Sequence, residues 1–226
     1  MTALVEMHDI HKAFGAVRAL DGVNLEIQPG EVLGLVGDNA AGKSTLMKVL
    51  SGAYQMDRGQ ISVDGLPVTI RKPDDARALG IEMIYQDLAL ADNLDLTANI
   101  WMGREATHFG FLDRARMVAE TRAIVDKLSI DVQDISQRVE TLSGGQRQAV
   151  AIGRAMAFNA RLIIMDEPTA ALSPSAAEKV LDVIRGLHVH GVAVVIINHR
   201  TDEVRRVADR IATMRHGRIE AVTCQA

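Results

Sequence analysis

The segment GDNAAGKST, residues 37–45, carries the strongest chemical signal in the sequence. It fits the pattern G-x-x-x-x-G-K-[ST] and lies between an apolar run at 31–36, typical of a strand, and a helix-like run that begins at Lys43. Glycines let such a loop turn its backbone amides toward phosphate oxygens, and the following helix N-terminus adds its dipole. This phosphate loop therefore predicts a nucleotide site, with Lys43 against the outer phosphates and the Ser44 hydroxyl on Mg²⁺.

Two adjacent carboxylates, Asp166 and Glu167, follow a second strand-like run, RLIIM at 161–165. In P-loop ATPases an aspartate at such a strand end holds magnesium, and a neighbouring glutamate polarises the attacking water. Taken alone, Asp-Glu-Pro after a strand is more often a capped turn than a catalytic site. Beside the phosphate loop, the catalytic interpretation is favoured.

Three further side chains gain meaning from this setting. Gln86 and His199 each follow a strand-like run, at the sheet edge where ligands bind in α/β proteins. Gln86 is predicted to reach Mg²⁺ or the attacking water, and His199 to contact the terminal phosphate. Phe14 is predicted to stack on a purine base, since the chain has only four Phe, two Tyr and one Trp. The predicted site comprises the catalytic residues Glu167, His199 and Gln86; the magnesium ligands Ser44, Gln86 and Asp166; and the nucleotide-binding residues Phe14, Gly37, Asp38, Asn39, Ala40, Ala41, Gly42, Lys43, Ser44 and Thr45.

The segment TLSGGQRQAVAIGRA, residues 141–155, has the features of a second phosphate cradle. Ser143, Gly144 and Gly145 stand at the start of a helix-like run, where backbone amides and the helix dipole favour an anion. A serine that only caps the helix is the plainer alternative, although it gives the paired glycines no role. The sequence thus raises the question of why one small chain carries two such loops.

Composition restricts the function classes. The 226 residues are 48% hydrophobic and 24% charged, which is typical of a globular protein with a packed core. The net charge is −4 and no block of basic residues is present, so no nucleic-acid partner is expected. The N-terminus lacks the pattern of a secretory signal, and the single cysteine, Cys224, suits a reducing compartment. The longest apolar run, at 192–198, is far shorter than the roughly 20 residues that cross a bilayer.

Periodicity predicts an α/β fold. Short apolar runs predict strands at 31–36, 82–85, 161–165, 192–197 and 210–214. Helix-like segments alternate with them at about 43–51, 113–128, 144–157, 174–188 and 201–208. VRALDGVNLEIQPGE predicts an antiparallel strand in a small N-terminal β layer beside the mostly parallel sheet. Residues 87–157 show helix patterns without a strand, and we expect them to form an inserted helical subdomain.

Together and in this order, the motifs resemble those of the nucleotide-binding subunit of ATP-binding cassette (ABC) transporters. The matching positions are Phe14, GDNAAGKST, Gln86, LSGGQ, LIIMDEP and His199, over nearly the whole chain. The LSGGQ signature is the decisive member, because other P-loop enzymes share the phosphate loop and the acidic strand end. The resemblance implies a single ABC ATPase domain over 1–226, with a P-loop NTPase core at about 1–86 and 158–226 and a helical subdomain at about 87–157.

The resemblance also implies a role for the second cradle. In this family the signature loop of one subunit closes over the ATP held by the other, so that two cassettes sandwich two nucleotides. Ser143, Gly144, Gly145 and Gln146, the signature loop, would then serve the ATP of a second copy. ATP with Mg²⁺ would close the homodimer, and hydrolysis would open it.

Residues 85–105, the GDN of the phosphate loop and the signature context resemble importers of simple sugars such as ribose, xylose or fructose. Such importers pair the ATPase with membrane-spanning permease subunits and an extracytoplasmic sugar-binding protein. The resemblance implies a cytoplasmic protein held peripherally at the membrane by a permease, which would dock near residues 87–105. The transported sugar itself contacts none of these motifs.

Three positions depart from the family pattern. Ala40 stands where the phosphate loop usually has a glycine, and its methyl group is expected to be tolerated only if φ stays below zero. Ser173 replaces a frequent aspartate, which weakens the expected communication between the two sites. Asn198 replaces a common serine before His199, and we expect the ATPase to remain active.

Several alternatives stay open. Cassettes that act on ribosomes usually have two cassettes in one chain, and those of chromosome maintenance and break repair have long coiled coils, neither of which this sequence shows. A cassette that drives another transport system or a non-transport membrane machine would carry the same catalytic motifs. A nucleotide-gated regulatory cassette with weak hydrolysis is the remaining alternative, motivated by Ala40 and Ser173.

Overall fold

Strands of three sheets form the framework of the computed structural model, which describes residues 2–225. The end residues of the predicted domain, 1 and 226, lie outside the described residues. The strands are β1 (Val5–Phe14), β2 (Val17–Ile27), β3 (Val32–Val36), β4 (Arg58–Val63), β5 (Leu66–Val68), β6 (Ile81–Ile84), β7 (Thr107–His108), β8 (Phe111–Leu112), β9 (Leu162–Asp166), β10 (Ala193–Ile197), β11 (Arg210–Arg215) and β12 (Arg218–Cys224).

Helices cover the sheets. They are α1 (Lys43–Leu50), α2 (Pro73–Ala78), α3 (Leu96–Trp101), α4 (Arg114–Lys127), α5 (Gly144–Ala157), α6 (Pro174–Val189) and α7 (Thr201–Arg205), with a 3₁₀ turn at Val139–Thr141. Between residues 2 and 225, no helix has both the length and the hydropathy that a membrane crossing requires.

The central sheet has the order β12-β11-β3-β10-β9-β6. Its five strands from β11 to β6 are parallel to their neighbours, and β12 pairs antiparallel with β11. The five strand-like runs of the sequence supply these parallel strands, so the predicted fold class is confirmed. Because parallel strands end at the same edge, the loops after β3, β6, β9 and β10 are all placed on one side of the sheet.

Side chains of the central strands alternate between two apolar cores. In β3, Val32 and Val36 face the core that includes residues of α5 and α6, whereas Leu33 and Leu35 face the core shared with α1 and the N-terminal strands. Full burial of such a side chain contributes about 1.5–3 kcal/mol. A one-residue slip would exchange the two faces, so this alternation fixes the register of β3 and the position of the loop that follows it.

The N-terminal layer is a four-stranded antiparallel sheet of order β2-β1-β4-β5. The predicted antiparallel strand is confirmed as β2, while β4 and β5 were not anticipated. Asp64 and Gly65 join them in a two-residue turn with φ of 53° and 76°. Asp-Gly is a strong hairpin signal in its own right, and it would have predicted this turn.

The segment between β6 and β9 contains α3, α4, the 3₁₀ turn and α5. The expectation that residues 87–157 contain no strand is wrong, because β7 and β8 form a small hairpin there. Phe109 and Gly110, with φ of 49° and 82°, make its turn. Two-residue strands are too short for a periodic pattern, so only the turn glycine marks this hairpin in the sequence.

Candidate nucleotide-binding site

The phosphate loop connects β3 to α1 through backbone conformations that favour glycine. Gly37 and Gly42 have φ of 147° and 104°, and a Cβ atom would lie 2.0 Å from the Met214 carbonyl oxygen at the first and 2.6 Å from the Ala19 carbonyl oxygen at the second. Gly42 is also the N-cap of α1, which has no side-chain cap within the described chain. The first amides of α1 are therefore available to an anionic ligand.

Lys43 lies inside the phosphate loop, with 8% of its surface exposed. Its Nζ donates to the carbonyl oxygens of Gly37, at 2.8 Å, and Asp38, at 2.9 Å. Burial lowers the pKa of Lys43, and the charges of Glu167 and Asp166 oppose that shift. A desolvated cation held by neutral carbonyls gains strongly from a nearby anion, which fits the predicted phosphate contact.

A cavity of about 400 Å³ opens beside the loop. The cavity is lined by the aromatic residue predicted to stack on the base, by most of the phosphate loop and by one predicted catalytic residue. A short stretch of β2 also lines it, and this stretch was not among the predicted site residues. The lining residues are Phe14, Val17, Arg18, Ala19, Asn39, Ala40, Ala41, Gly42, Lys43, Ser44, Thr45, Glu167 and Ile197. The sequence signal for these β2 residues is the turn at Gly15, because it reverses the chain in the β1–β2 hairpin and brings β2 back past Phe14.

Phe14 is held at the mouth of this cavity by its neighbours. Its ring makes an edge-to-face contact with Tyr54, with centroids 5.2 Å apart, and the Lys12 Nζ lies 5.5 Å from its centroid. The residue keeps 44% of its surface exposed. An exposed aromatic side chain fixed in this way can stack on a base without first losing conformational freedom.

Asp166 and Ser44 bring two oxygen atoms together at the inner end of the phosphate loop. The Ser44 Oγ donates to Asp166 Oδ1 at 3.4 Å. Burial raises the pKa of Asp166, the Ser44 hydrogen bond opposes that shift, and the charge of Glu167 adds to it. A hydroxyl and a partly desolvated carboxylate are donors that suit Mg²⁺, and a cation would compensate the carboxylate charge, so these two residues fit the predicted metal.

Glu167 and His199 form a pair at the ends of two neighbouring strands. The His199 Nδ1 lies 3.2 Å from Glu167 Oε1, and the Glu167 amide donates to the Ile197 carbonyl oxygen at 2.8 Å. Glu167 has a φ of 51°, a left-handed conformation that is strained for a side chain of this size. Such strain is concentrated at functional sites and persists only where surrounding contacts hold it.

Gln86 is placed differently from the other predicted residues. It lies two residues beyond β6, which neighbours β9, and it is exposed. The lining of the phosphate-loop cavity, within residues 2–225, includes none of Gln86, Asp166 and His199. Asp166 and His199 are nevertheless hydrogen-bonded to the lining residues Ser44 and Glu167, whereas Gln86 has no such bond to a lining residue in this described part of the chain. A role in binding Mg²⁺ or water therefore requires the segment after β6 to approach the cavity.

The signature loop opens α5 as a capped helix. The Ser143 amide donates to Gln146 Oε1 at 2.8 Å, and the Gln146 amide donates to Ser143 Oγ at 3.4 Å, which makes a capping box. Gln146 also donates to the Asp131 carbonyl oxygen through Nε2. Gly145 and Gln146 line a separate groove of about 410 Å³, so one chain does not bring its two glycine-containing loops into the same pocket.

The paired glycines of the signature loop have a packing role that the sequence did not reveal. A Cβ atom at Gly144 would lie 2.7 Å from Leu172 Cδ2, and one at Gly145 would lie 3.3 Å from the Cβ and the carbonyl oxygen of Ala176. The start of α5 therefore lies close against the start of α6. This close approach explains the glycines through sterics, which the simple helix-cap interpretation could not do.

Residues 20–170 match the family model described as ABC transporter. The chain belongs to the ABC transporter family. The predicted resemblance and the predicted class of enzyme, an ABC ATPase, are thereby confirmed. A solved nucleotide-free ATP-binding cassette from an ABC transporter has the same fold, with a TM-score of 0.88, 27% identity, and coverage of 99% of this chain and 92% of that chain.

Several curated relatives of this cassette are named for the import of a sugar. A xylose/arabinose import ATP-binding protein from Sulfolobus acidocaldarius is 51% identical, covering 97% of this chain and 87% of the relative. A fructose import ATP-binding protein from Rhizobium meliloti is 45% identical, covering 92% of this chain and 83% of the relative. A ribose import ATP-binding protein from Escherichia coli O157:H7 is 44% identical, covering 96% of this chain and 42% of the relative.

Two departures of this cassette from the family pattern have defined geometry. Ala40 has a φ of 66°, so the condition under which its methyl group was expected to be tolerated, a φ below zero, is not met. This conformation costs an alanine about 1–2 kcal/mol. Ser173 is the N-cap of α6, and its Oγ accepts a hydrogen bond from the Ala176 amide at 3.4 Å. Serine at this position therefore has a structural role in ending the loop after β9.

Proposed function

We propose that this cassette is the ATP-binding and ATP-hydrolysing subunit of a membrane ABC importer that powers uptake of a simple sugar. The observation that carries the proposal is the 51% identity, over 97% of this chain, to a xylose/arabinose import ATP-binding protein. Relatives named for ribose and fructose import share 44% and 45% identity, which favours sugars as the substrate class.

Within one chain, the cavity and the side chains hydrogen-bonded to its lining supply the groups for nucleotide binding and water attack. Phe14 stacks on the base, while Lys43 and the first amides of α1 hold the phosphates. Ser44 and Asp166 supply oxygen ligands for Mg²⁺, which offsets phosphate charge when it is bound. Glu167 orients the attacking water and accepts its proton, and His199, hydrogen-bonded to Glu167, contacts the terminal phosphate.

The proposed working unit is a head-to-tail homodimer. The signature loop has exposed residues at Ser143 and Gly144, yet it lies outside the phosphate-loop cavity of its own chain. A second copy can present its signature loop to that cavity, so that Ser143, Gly144, Gly145 and Gln146 complete the site of the partner. ATP then joins two copies, and loss of phosphate separates them.

The proposed membrane partner is a permease, docked near residues 87–105. A groove of about 320 Å³ lies in this region. Tyr85 and Met102, each 39% exposed, place apolar surface in its lining, and Arg77 and Arg104 place charge there. This surface holds the cassette peripherally at the cytoplasmic face of the membrane, where the permease links it to an extracytoplasmic sugar-binding protein.

A nucleotide-gated regulatory cassette with weak hydrolysis is a second candidate, and the left-handed conformation of Ala40 favours it. Strain in the phosphate loop would lower affinity for ATP or slow the chemical step. Fast release of inorganic phosphate over many turnovers by the purified chain with Mg-ATP would eliminate this candidate, because its hydrolysis is weak. Release limited to one equivalent per chain would support it.

Transport in reconstituted vesicles tests the proposed function. The tagged chain is used to isolate its membrane partner, and the complex is inserted into vesicles and given a panel of labelled pentoses and hexoses with ATP. We expect ATP-dependent accumulation of at least one sugar, which Glu167→Gln abolishes. Copurification of ribosomes or DNA in place of a membrane protein, or transport of none of the sugars, would contradict the proposal.

A further inference from the structure

Three buried polar side chains lie next to the catalytic pair and have no part in the mechanism given above. Thr169, Asn198 and Glu203 are 0%, 1% and 8% exposed. Thr169 belongs to the turn after β9, Asn198 follows β10, and Glu203 is on α7. Polar groups are costly to bury unless they are fully hydrogen-bonded, so such a cluster requires an explanation.

The three side chains bond to one another, and Glu203 also accepts from the Arg200 guanidinium through Oε1. The Thr169 Oγ1 donates to Glu203 Oε2 at 2.5 Å. The Asn198 Nδ2 donates both to Thr169 Oγ1, at 3.0 Å, and to Glu203 Oε2, at 3.1 Å. The Asn198 Oδ1 accepts from the Arg200 amide at 2.9 Å. Every donor and acceptor of the Asn198 side chain is thus used.

This cluster connects the two loops that carry the catalytic pair. Thr169 is two residues beyond Glu167, and Asn198 directly precedes His199. The side-chain bonds therefore join the loops close to the 3.2 Å contact between His199 and Glu167. They also add to the backbone bond that holds Glu167 in its left-handed conformation, from its amide to the Ile197 carbonyl oxygen.

We propose that Thr169, Asn198 and Glu203 form a positioning clamp that holds Glu167 and His199 in hydrogen-bonding register. The clamp rests on the proposed function, because it acts through residues assigned to ATP hydrolysis. Asparagine is suited to it, since its amide nitrogen has two hydrogens for two acceptors, whereas the serine common at this position of the family has only one. The clamp residues touch no nucleotide; they fix the loops that do.

Paired threonine variants separate positioning from stability. Thr169→Val removes the clamp hydroxyl, and Thr121→Val is the matched control. Thr121 is also 0% exposed, and its Oγ1 accepts from Trp101 Nε1 at 3.1 Å on the helical side of the molecule. Both variants lose a buried hydroxyl, so both are expected to lower the melting temperature. We expect Thr169→Val to lower kcat about tenfold to 100-fold at a KM within about twofold, because misplaced catalytic groups affect turnover more than binding.

Two further variants keep the test decisive. Thr169→Ser restores the hydroxyl and is expected to recover kcat to within about threefold of wild type. If Thr169→Val does not fold, Asn198→Ser takes its place, and it is expected to lower kcat by a smaller factor at unchanged KM. A folded Thr169→Val or Asn198→Ser protein with the kcat of Thr121→Val would overturn the clamp.

A nucleotide-free measurement distinguishes failure of the clamp from failure of the proposed function. The His199 imidazole resonances are followed by NMR in the wild type and in each variant. We expect them to move in Thr169→Val and Asn198→Ser and to stay unchanged in Thr121→Val. If the wild type hydrolyses no ATP, the proposed function fails, and the imidazole resonances still decide the clamp: unchanged resonances in all variants would refute it.

Discussion

The phosphate loop and the signature loop both place glycines at the start of a helix, yet these glycines have different structural roles. In the phosphate loop, Gly37 and Gly42 adopt positive φ values, and α1 begins without a side-chain cap. In the signature loop, Gly144 and Gly145 lie inside α5, and Ser143 caps the helix with its own side chain. Among the described residues, the helix after the first loop has no side-chain cap, whereas the helix after the second has its Gln146 amide capped by the Ser143 hydroxyl.

The glycines of the two loops therefore have different structural roles. The phosphate-loop glycines adopt positive φ values and lie close to backbone carbonyl oxygens. Any other residue at these positions would strain the backbone and clash with those oxygens. The signature glycines allow α5 to approach α6, and the contact of Gly144 is with the flexible end of the Leu172 side chain. The local sequence of both loops is typical of a phosphate-binding loop, but only the phosphate loop lines the proposed nucleotide cavity of its own chain.

The largest expected effect comes from removing the carboxylate that is proposed to activate water, while both loops stay intact. Glu167→Gln is expected to lower ATP turnover about 100- to 10,000-fold, because the amide cannot accept the proton of the attacking water. ATP binding is preserved, so the variant is trapped as a nucleotide-bound dimer that size-exclusion chromatography detects. A variant that stays monomeric with ATP and hydrolyses at the wild-type rate would refute the assignment of Glu167.

The second-largest expected effect is a change in ATP affinity, measured with matched glycine-to-alanine substitutions in the two loops. Gly42→Ala places a Cβ 2.6 Å from a backbone oxygen at a φ of 104°, so the loop must rearrange. We expect ATP affinity to fall by about 100-fold or more, by analogy with other strained active-site backbones. Gly144→Ala meets one movable side-chain methyl group and is expected to leave ATP affinity of the isolated chain unchanged. Fluorescent-nucleotide titration measures both affinities, and equal losses would show that the glycines of the two loops contribute equally to ATP binding by the isolated chain.

Much of this contrast was predictable from local patterns, and the rest depends on long-range packing. The phosphate loop, Asp166 and Glu167 are identified by motif and by position after an apolar strand. The distance between Gln86 and the cavity depends on how the segment after β6 packs, which no local pattern reports. The left-handed φ of Ala40 opposes the preference of alanine. The contacts of Gly144 and Gly145 come from Leu172 and Ala176, about 30 residues further along the chain.

The third expected effect is a pH dependence of stability, and it comes from the buried carboxyl group of Asp166 beside the phosphate loop. Burial raises the pKa of Asp166, so folding favours its neutral form. The stability that this proton contributes is present at acidic pH and is lost as the pH rises from the ordinary value of 3.8 through the raised value. Asp166→Asn is therefore expected to raise the melting temperature of the nucleotide-free chain at pH 7 and to leave it nearly unchanged near pH 3.

The stability gain of Asp166→Asn should accompany a loss of function. The amide offers Mg²⁺ a weaker ligand, so we expect slower hydrolysis in the more stable variant. Differential scanning calorimetry at several pH values, paired with phosphate release, makes this measurement. A lower melting temperature at pH 7 would show that the Asp166 carboxylate stabilises the empty site.

The smallest expected effect concerns Ala40. Ala40→Gly relieves a left-handed alanine, while the glycine adds entropy to the unfolded chain, so we expect a net stabilisation of at most about 1 kcal/mol. Ala41→Gly is the matched control in the same loop; Ala41 does not have a positive φ and is expected to lose about 0.5–1 kcal/mol. Urea denaturation compares them, and stabilisation by both variants would contradict the strain argument.

Mixing two inactive variants tests the proposal that each signature loop serves the ATP of the other copy. Lys43→Ala disables the phosphate loop. Ser143→Asp keeps a good helix cap but sets a negative charge against the phosphate of the partner. In a mixed dimer, one site receives both defects and the other receives neither.

We predict that each variant alone is inactive and that an equimolar mixture recovers up to about a quarter of the wild-type ATPase rate. Half of the dimers are then mixed, and half of their sites are intact. If the folded variants remain inactive when mixed, while wild-type protein hydrolyses ATP under the same conditions, the signature loop does not act across the dimer and the account is contradicted.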